Sequence, residues 1–132
     1  MVENRDIARN YLRMKFGEVS ASLDEILSPD YREHQPSVTR GAKETKEFAA
    51  KLAEAFSDQS FTVEDEIVEG DRVVIRYGWS GLHTGQFMSW PPSKRRISTH
   101  GILIARIEAK RIIEIWEEWD FAGFRAQLES TL

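Results

Sequence analysis

A chain of 132 residues, 41% hydrophobic and 30% charged, has the size and composition of one globular domain spanning 1–132. The net charge of −4 argues against nucleic acid or an anionic membrane as the main partner, because either needs a concentrated basic face. The absence of cysteine removes disulfides and thiol chemistry. The early residues are charged throughout, and no apolar run approaches the ~20 residues of a membrane span, so a soluble cytoplasmic protein is expected.

Residues 3 to 17 have the spacing of an amphipathic helix, with Ile7, Ala8, Tyr11, Leu12 and Met14 as its apolar stripe and Gly17 as its stop. A shorter helix with Leu23, Ile26 and Leu27 on its buried side is expected to end at Ser28-Pro29-Asp30, because proline cannot continue the hydrogen bonding. Tyr31 to Gln35 then reads as a short extended piece closed by Pro36. Gly41 to Phe56 carries the clearest helical pattern, with Phe48, Ala49, Leu52, Ala55 and Phe56 on one side.

After a polar link at Ser57-Asp58-Gln59 the period falls to two. Phe61, Val63 and Ile67 share one face, Gly70-Asp71 marks a hairpin, and Val73, Ile75, Tyr77 and Trp79 share a face of the next strand. Gly81 to Arg96 is irregular and contains Phe87 and Trp90. Ile97 to Ile107 is apolar on both faces and so is placed centrally in a sheet. A turn at Glu108-Ala109-Lys110 leads into the strand Arg111 to Trp119, and Phe124, Leu128 and Leu132 mark a terminal helix. Helices followed by a strand meander and a last helix define an α+β domain. The expected form is a cone, a curved antiparallel sheet wrapped around the N-terminal helices, with a ligand pocket between the layers.

The strand from Arg111 is the most informative stretch. Counting by twos puts Ile113, Ile115, Glu117 and Trp119 on one face and Ile112, Glu114, Trp116, Glu118 and Asp120 on the other. The second face holds three carboxylates, Glu114, Glu118 and Asp120, beside one tryptophan. Such a face either meets water or lines a cavity.

Four stretches carry a likeness to a known family: Tyr31-Arg32-Glu33-His34-Gln35-Pro36, the helix Gly41 to Phe56, Gly81-Leu82-His83-Thr84-Gly85-Gln86-Phe87 with Pro91-Pro92, and Ile112 to Asp120 followed by Gly123-Phe124-Arg125-Ala126-Gln127-Leu128. Together they resemble the SnoaL-like polyketide cyclases of the nuclear transport factor 2-like superfamily. The resemblance implies a cofactor-free, metal-free intramolecular aldol closure in which one Asp near the end of the last strand is general acid and base. The matching position is Asp120. Two positions depart from the family pattern: Glu118, where an apolar or neutral residue is usual, and Ala109, where Gly is usual. The resemblance also implies a homodimer built on one sheet face, for which Ile113, Ile115 and Trp119 are the candidates.

On residue type alone Asp120 has two readings, the N-cap of the terminal helix or an acid/base group. A carboxyl in a dry apolar pocket has its pKa raised, which suits proton transfer near neutrality. Glu118, roughly 6–7 Å away along a regular strand, would make a carboxylate pair with it. Trp116, Tyr77, Trp79, His34 and His100 are the candidate pocket walls, and Phe87 and Trp90 the candidate caps of its mouth. His83 reads as a loop side chain in water. Three scattered histidines without close spacing argue against a metal site. The reading is a cyclase or isomerase acting on a hydrophobic carbonyl compound. A non-catalytic small-molecule-binding or accessory protein, and an epoxide-hydrolase-like enzyme, are the alternatives.

Overall fold

The computed structural model describes residues 3–18 and 22–130. Leu132 therefore lies outside the described residues. The elements are α1 (Asn4–Lys15), a 3-10 turn (Leu23–Glu25), β1 (Leu27–Gln35), β2 (Val38–Arg40), α2 (Ala42–Ala55), β3 (Phe56–Glu69), β4 (Arg72–His83), β5 (Arg96–Glu108), β6 (Arg111–Trp119) and α3 (Phe121–Glu129). The six strands form one curved sheet in the order β2-β1-β6-β5-β4-β3. One continuous apolar cluster lies between that sheet and the helices, including Tyr11 and Leu12 of α1, Leu52 of α2, Ile75 and Trp79 of β4, Leu103 of β5, Ile115 of β6 and Phe124 of α3. Among the described residues no helix is long and apolar enough to cross a membrane.

The sheet is mixed. The pairs β1–β2, β3–β4, β4–β5 and β5–β6 are antiparallel, but β1 lies parallel to β6. β1 also starts earlier than its local pattern predicts, at Leu27, and the expected second helix shrinks to the 3-10 turn. Pro29 sits where the register between β1 and β6 shifts, between the pairs Leu27↔Ile112 and Arg32↔Glu114. A residue without an N–H is tolerated in a strand at such a break. The polar link at Ser57-Asp58-Gln59 is likewise part of a strand, the irregular start of β3 opposite β4.

A second bulge decides which side chains reach the interior. Ile107 pairs with Ile112 and Arg106 with Glu114, so Ile113 has no partner on β5. The extra residue breaks the period of two. Ile112, Ile115 and Glu117 are buried together, and Trp119 is half-buried on the same inner face. Glu114, Trp116 and Glu118 consequently turn to the outer face. The face of Ile113, Ile115 and Trp119 expected at a dimer contact does not exist as such, because Ile115 is fully buried in the core.

Candidate active site

The interior contains charged groups as well as apolar ones. Lys15 is 6% exposed, Glu33 1% and Glu117 2%. Each is on the inner face of its element for a simple reason. Lys15 follows Ile7 and Tyr11 at helical spacing on α1, Glu33 follows Tyr31 by two on β1, and Glu117 follows Ile115 by two on β6. Burying a charge is costly unless it is paired and hydrogen-bonded, and here every charge is.

The Lys15 ammonium lies 3.0 Å from Glu117 Oε1 and 3.6 Å from Glu33 Oε1. Glu33 Oε1 also accepts from the Tyr11 hydroxyl at 2.5 Å and the Tyr31 hydroxyl at 3.2 Å. Its Oε2 accepts from Arg40 at 3.2 Å and from Gln35 Nε2 at 3.2 Å. The second carboxylate oxygen of Glu117 accepts from the Tyr77 hydroxyl. Gln35 Nε2 reaches Glu117 Oε1 at 3.4 Å, and Gln35 Oε1 accepts from the Trp119 indole at 3.1 Å. An indole N–H only donates, so this bond fixes the amide of Gln35 with its N–H groups toward the carboxylates.

Glycine at position 101 makes the Tyr77 contact possible. Tyr77, Gly101 and Trp119 lie side by side across β4, β5 and β6. A Cβ on residue 101 would stand 2.7 Å from the Tyr77 hydroxyl and 2.9 Å from Trp119 Cβ.

The protonation states follow from this geometry. Burial works against the charge on Lys15, but attraction from Glu117 and Glu33 outweighs it and lifts the ammonium pKa above the ordinary lysine value. Burial would raise the Glu33 carboxyl, but Lys15, the Tyr11 hydrogen bond and Arg40 together hold it below the ordinary carboxylate value. Burial pushes the Tyr77 and Tyr11 phenols well up, with the charges of Glu117 and Glu33 adding to the effect. At neutral pH the cluster therefore offers an ammonium, a Glu33 carboxylate and intact phenol donors.

These groups sit at one side of a small inner chamber. Its walls are Phe16, Phe48, Leu52, Tyr77, Trp79, Phe124 and Trp119, with Lys15, Gln35, Thr99 and Glu117 as its polar lining. Its volume of about 30 Å³ is the room of one or two water molecules. Gln35, Phe48 and Trp119 also line a mouth of about 630 Å³, bounded by Val38, Arg40, Phe87, Met88 and Phe121 among others. Val38, Met88 and Phe121 are large apolar side chains left 40%, 67% and 40% exposed around that mouth.

The residues expected from sequence are distributed over two faces. Tyr77 and Trp79 line the inner chamber, and Phe87 lines the mouth. Trp90 instead packs against the core, its backbone paired with that of Phe87. His34, His100, Trp116, Glu118 and Asp120 line an open groove of about 870 Å³ on the outer side of the sheet. There His34 Nε2 meets Glu114 Oε2 at 2.5 Å, and the His34 ring stacks on Trp116 at 5.6 Å between centroids. Asp120 caps α3: its Oδ1 accepts from the Gly123 N–H at 2.9 Å. His83 is buried rather than solvated. Its ring stacks on Phe56, its Nδ1 accepts from the Ser93 N–H at 3.2 Å, and burial lowers its pKa.

Lys15, Glu33, Gln35, Arg40 and Glu117 were not singled out by the sequence reading. A signal for Lys15 was present in the 7, 11, 15 spacing, which places it on the apolar stripe of α1. Glu117 stands between Ile115 and Trp119 on a strand face that is otherwise apolar.

A curved mixed sheet of six strands packed on α1, α2 and α3 defines an α+β domain of the nuclear transport factor 2-like class. The chain matches the model of the SnoaL-like polyketide cyclases over residues 6–128, and it belongs to that family. None of the curated proteins matches it at a significant level. Among solved structures, TsrD from Streptomyces laurentii is 32% identical, with 93% of this chain and 92% of that one covered and a TM-score of 0.79. IdmH from Streptomyces antibioticus, a proposed polyketide cyclase, is 24% identical over 98% of this chain and 100% of its own, with a TM-score of 0.83. AclR from Streptomyces galilaeus, a proposed hydroxylase, is 19% identical over 95% and 94%, with a TM-score of 0.85. The latter two share the fold with this chain.

Proposed function

We propose that this protein performs cofactor-free acid/base chemistry of the aldol type on a hydrophobic carbonyl compound, with Glu117 as the proton-transferring group. The observation that carries the reading is the Glu117 carboxylate on the wall of the inner chamber, with the Lys15 ammonium and Tyr77 hydroxyl against its two oxygens. Glu117 takes a proton from the carbon next to a carbonyl. The enolate oxygen so formed is met by Lys15 and Tyr77, donors that can shift from the carboxylate once it is protonated. The enolate carbon attacks a second carbonyl of the same molecule, and the resulting alkoxide takes the proton back from Glu117. The product is an isomer of the substrate and no other reactant is consumed.

The test is exchange of solvent deuterium into the α-carbon of a ketone, followed by NMR. The wild type is expected to exchange, and Glu117→Gln to do so 10²–10⁴-fold more slowly, the usual contribution of a positioned acid/base. The family resemblance assigns that role to Asp120. Its cap geometry makes Asp120→Asn the comparison: near-normal exchange supports Glu117, and exchange lost in Asp120→Asn but kept in Glu117→Gln moves the role to Asp120. Saturable ligand binding with no exchange above buffer rate would make this a binding protein.

We further infer a homodimer through the outer sheet face. The support is the apolar character of that face, where Ile102 is 47% exposed beside half-buried Ile104 and Trp116.

A further inference from the structure

We propose that Phe48 is a specificity-determining residue, the partition of a two-chambered pocket that admits a slim terminal carbonyl group and excludes one flanked by two long chains. The inference rests on the reading of the pocket as a carbonyl site, and concerns which carbonyl compounds can present themselves to Glu117.

The inner chamber and the mouth meet at three side chains that line both, Gln35, Phe48 and Trp119. Two of these are locked. Gln35 and Trp119 hold each other through the indole hydrogen bond, and Gln35 is tied to both buried carboxylates. The third is held by charge. The Arg40 guanidinium stands 4.6 Å from the centre of the Phe48 ring, and the Lys15 ammonium 5.8 Å from it. A cation within about 6 Å of an aromatic centroid is attracted by the ring quadrupole. Both cations are themselves anchored on Glu33. The ring is thus fastened to the same charge cluster that faces the reacting atoms, and Phe87 packs against it edge-on at 6.3 Å. A partition held on several sides does not swing away freely to pass a bulky group. The contrast in room, about 30 Å³ within against about 630 Å³ outside, leaves the body of a ligand in the mouth. There Val38, Met88 and Phe121 provide the apolar contact surface.

The experiment compares two isomers of equal composition, methyl nonyl ketone and dipentyl ketone, as probes. Binding is followed by the NMR shift of the Trp119 indole N–H, identified through Trp119→Phe. The wild type is expected to bind methyl nonyl ketone at least about tenfold more tightly, within the range a shape-selective apolar pocket achieves. Phe48→Ala is expected to bring the two isomers to within about twofold of each other. Phe48→Leu, which keeps most of the buried volume, serves if the alanine variant melts early, and is expected to shrink the preference. Equal binding of the isomers by the wild type, no saturable binding of either, or an unchanged preference in folded Phe48 variants would each overturn the proposal. Preference without deuterium exchange leaves the partition standing and removes the proposed chemistry, so the two failures are distinct.

Discussion

Lys15 is shared by two buried carboxylates; its removal would leave Glu117 without its cation and Glu33 with Arg40 alone. Lys15→Met keeps the length of the side chain and deletes the charge. Breaking a buried ion pair by removing one partner costs about 3–5 kcal/mol, and that loss is the expected shift in urea denaturation. A loss below 1 kcal/mol would mean that Glu33 and Glu117 do not depend on Lys15. The same cluster predicts a pH dependence. Glu33 has a depressed pKa in the fold, so its contribution is fully present above the ordinary carboxylate value of 4.5 and is lost as pH falls through the folded value. Lys15 has a raised pKa, so its contribution is present below 10.5 and is lost as pH rises through the folded value. Stability is therefore expected to be flat between these limits on this account and to fall beyond each. Glu33→Gln should flatten the acid limb, which urea titrations at a series of pH values would measure. The sequence displayed these residues without their meaning, because Lys15, Glu33 and Glu117 lie 18 and 84 positions apart along the chain. Asp120 was the more visible candidate because a motif marks it, and motif position alone does not distinguish a cap from an acid.

At the level of elements, α1, α2, α3 and the hairpins of β3 to β6 were legible because their determinants are local, whereas the helix expected around Leu23 to Leu27 did not form beyond the 3-10 turn. The apolar stripe of α2, the Gly70-Asp71 turn and the alternation of β4 each specify their own structure within a few residues. β1 and the inner face of β6 were not legible. The strand character of Leu27 to Asp30 depends on pairing with Ile112 far along the chain, and the burial of Ile112 on the same face as Ile115 and Glu117 depends on the bulge at Ile113. Two tests belong here. The β5–β6 turn holds Ala109 and Lys110 at φ of 50° and 65°, the left-handed region that a two-residue hairpin of this kind requires. Ala109→Gly is expected to stabilise the protein by about 1 kcal/mol in urea, because the left-handed conformation costs a side-chain-bearing residue about that much. An unchanged or lower stability would show that the entropy of glycine cancels the gain. Gly101→Ala forces a methyl against the Tyr77 hydroxyl, and a cost of about 1–3 kcal/mol is expected from overpacking, together with weaker deuterium exchange if Tyr77 serves the reaction.

For the molecule as a whole, the outer sheet face is where association is expected. Ile102→Arg places a charge at its exposed apolar centre, and light scattering at micromolar concentration should report a dimer for the wild type and a monomer for the variant. A monomeric wild type would remove the inference. The parallel pairing of β1 with β6 has a further consequence, for the order in which the protein can be made. Glu33 sits on β1 and pairs in register with Ile115, and the bridge from Lys15 to Glu117 joins residues 102 positions apart. No part of the charge cluster involving Glu117 can form until the chain has been made through β6. Contacts of such long sequence separation close slowly, since the loop entropy is met before the contact rewards it. A partly synthesised or partly refolded chain therefore carries Lys15 and Glu33 without Glu117, the second carboxylate that Lys15 serves, and the charge cluster is completed in the same event that completes the sheet.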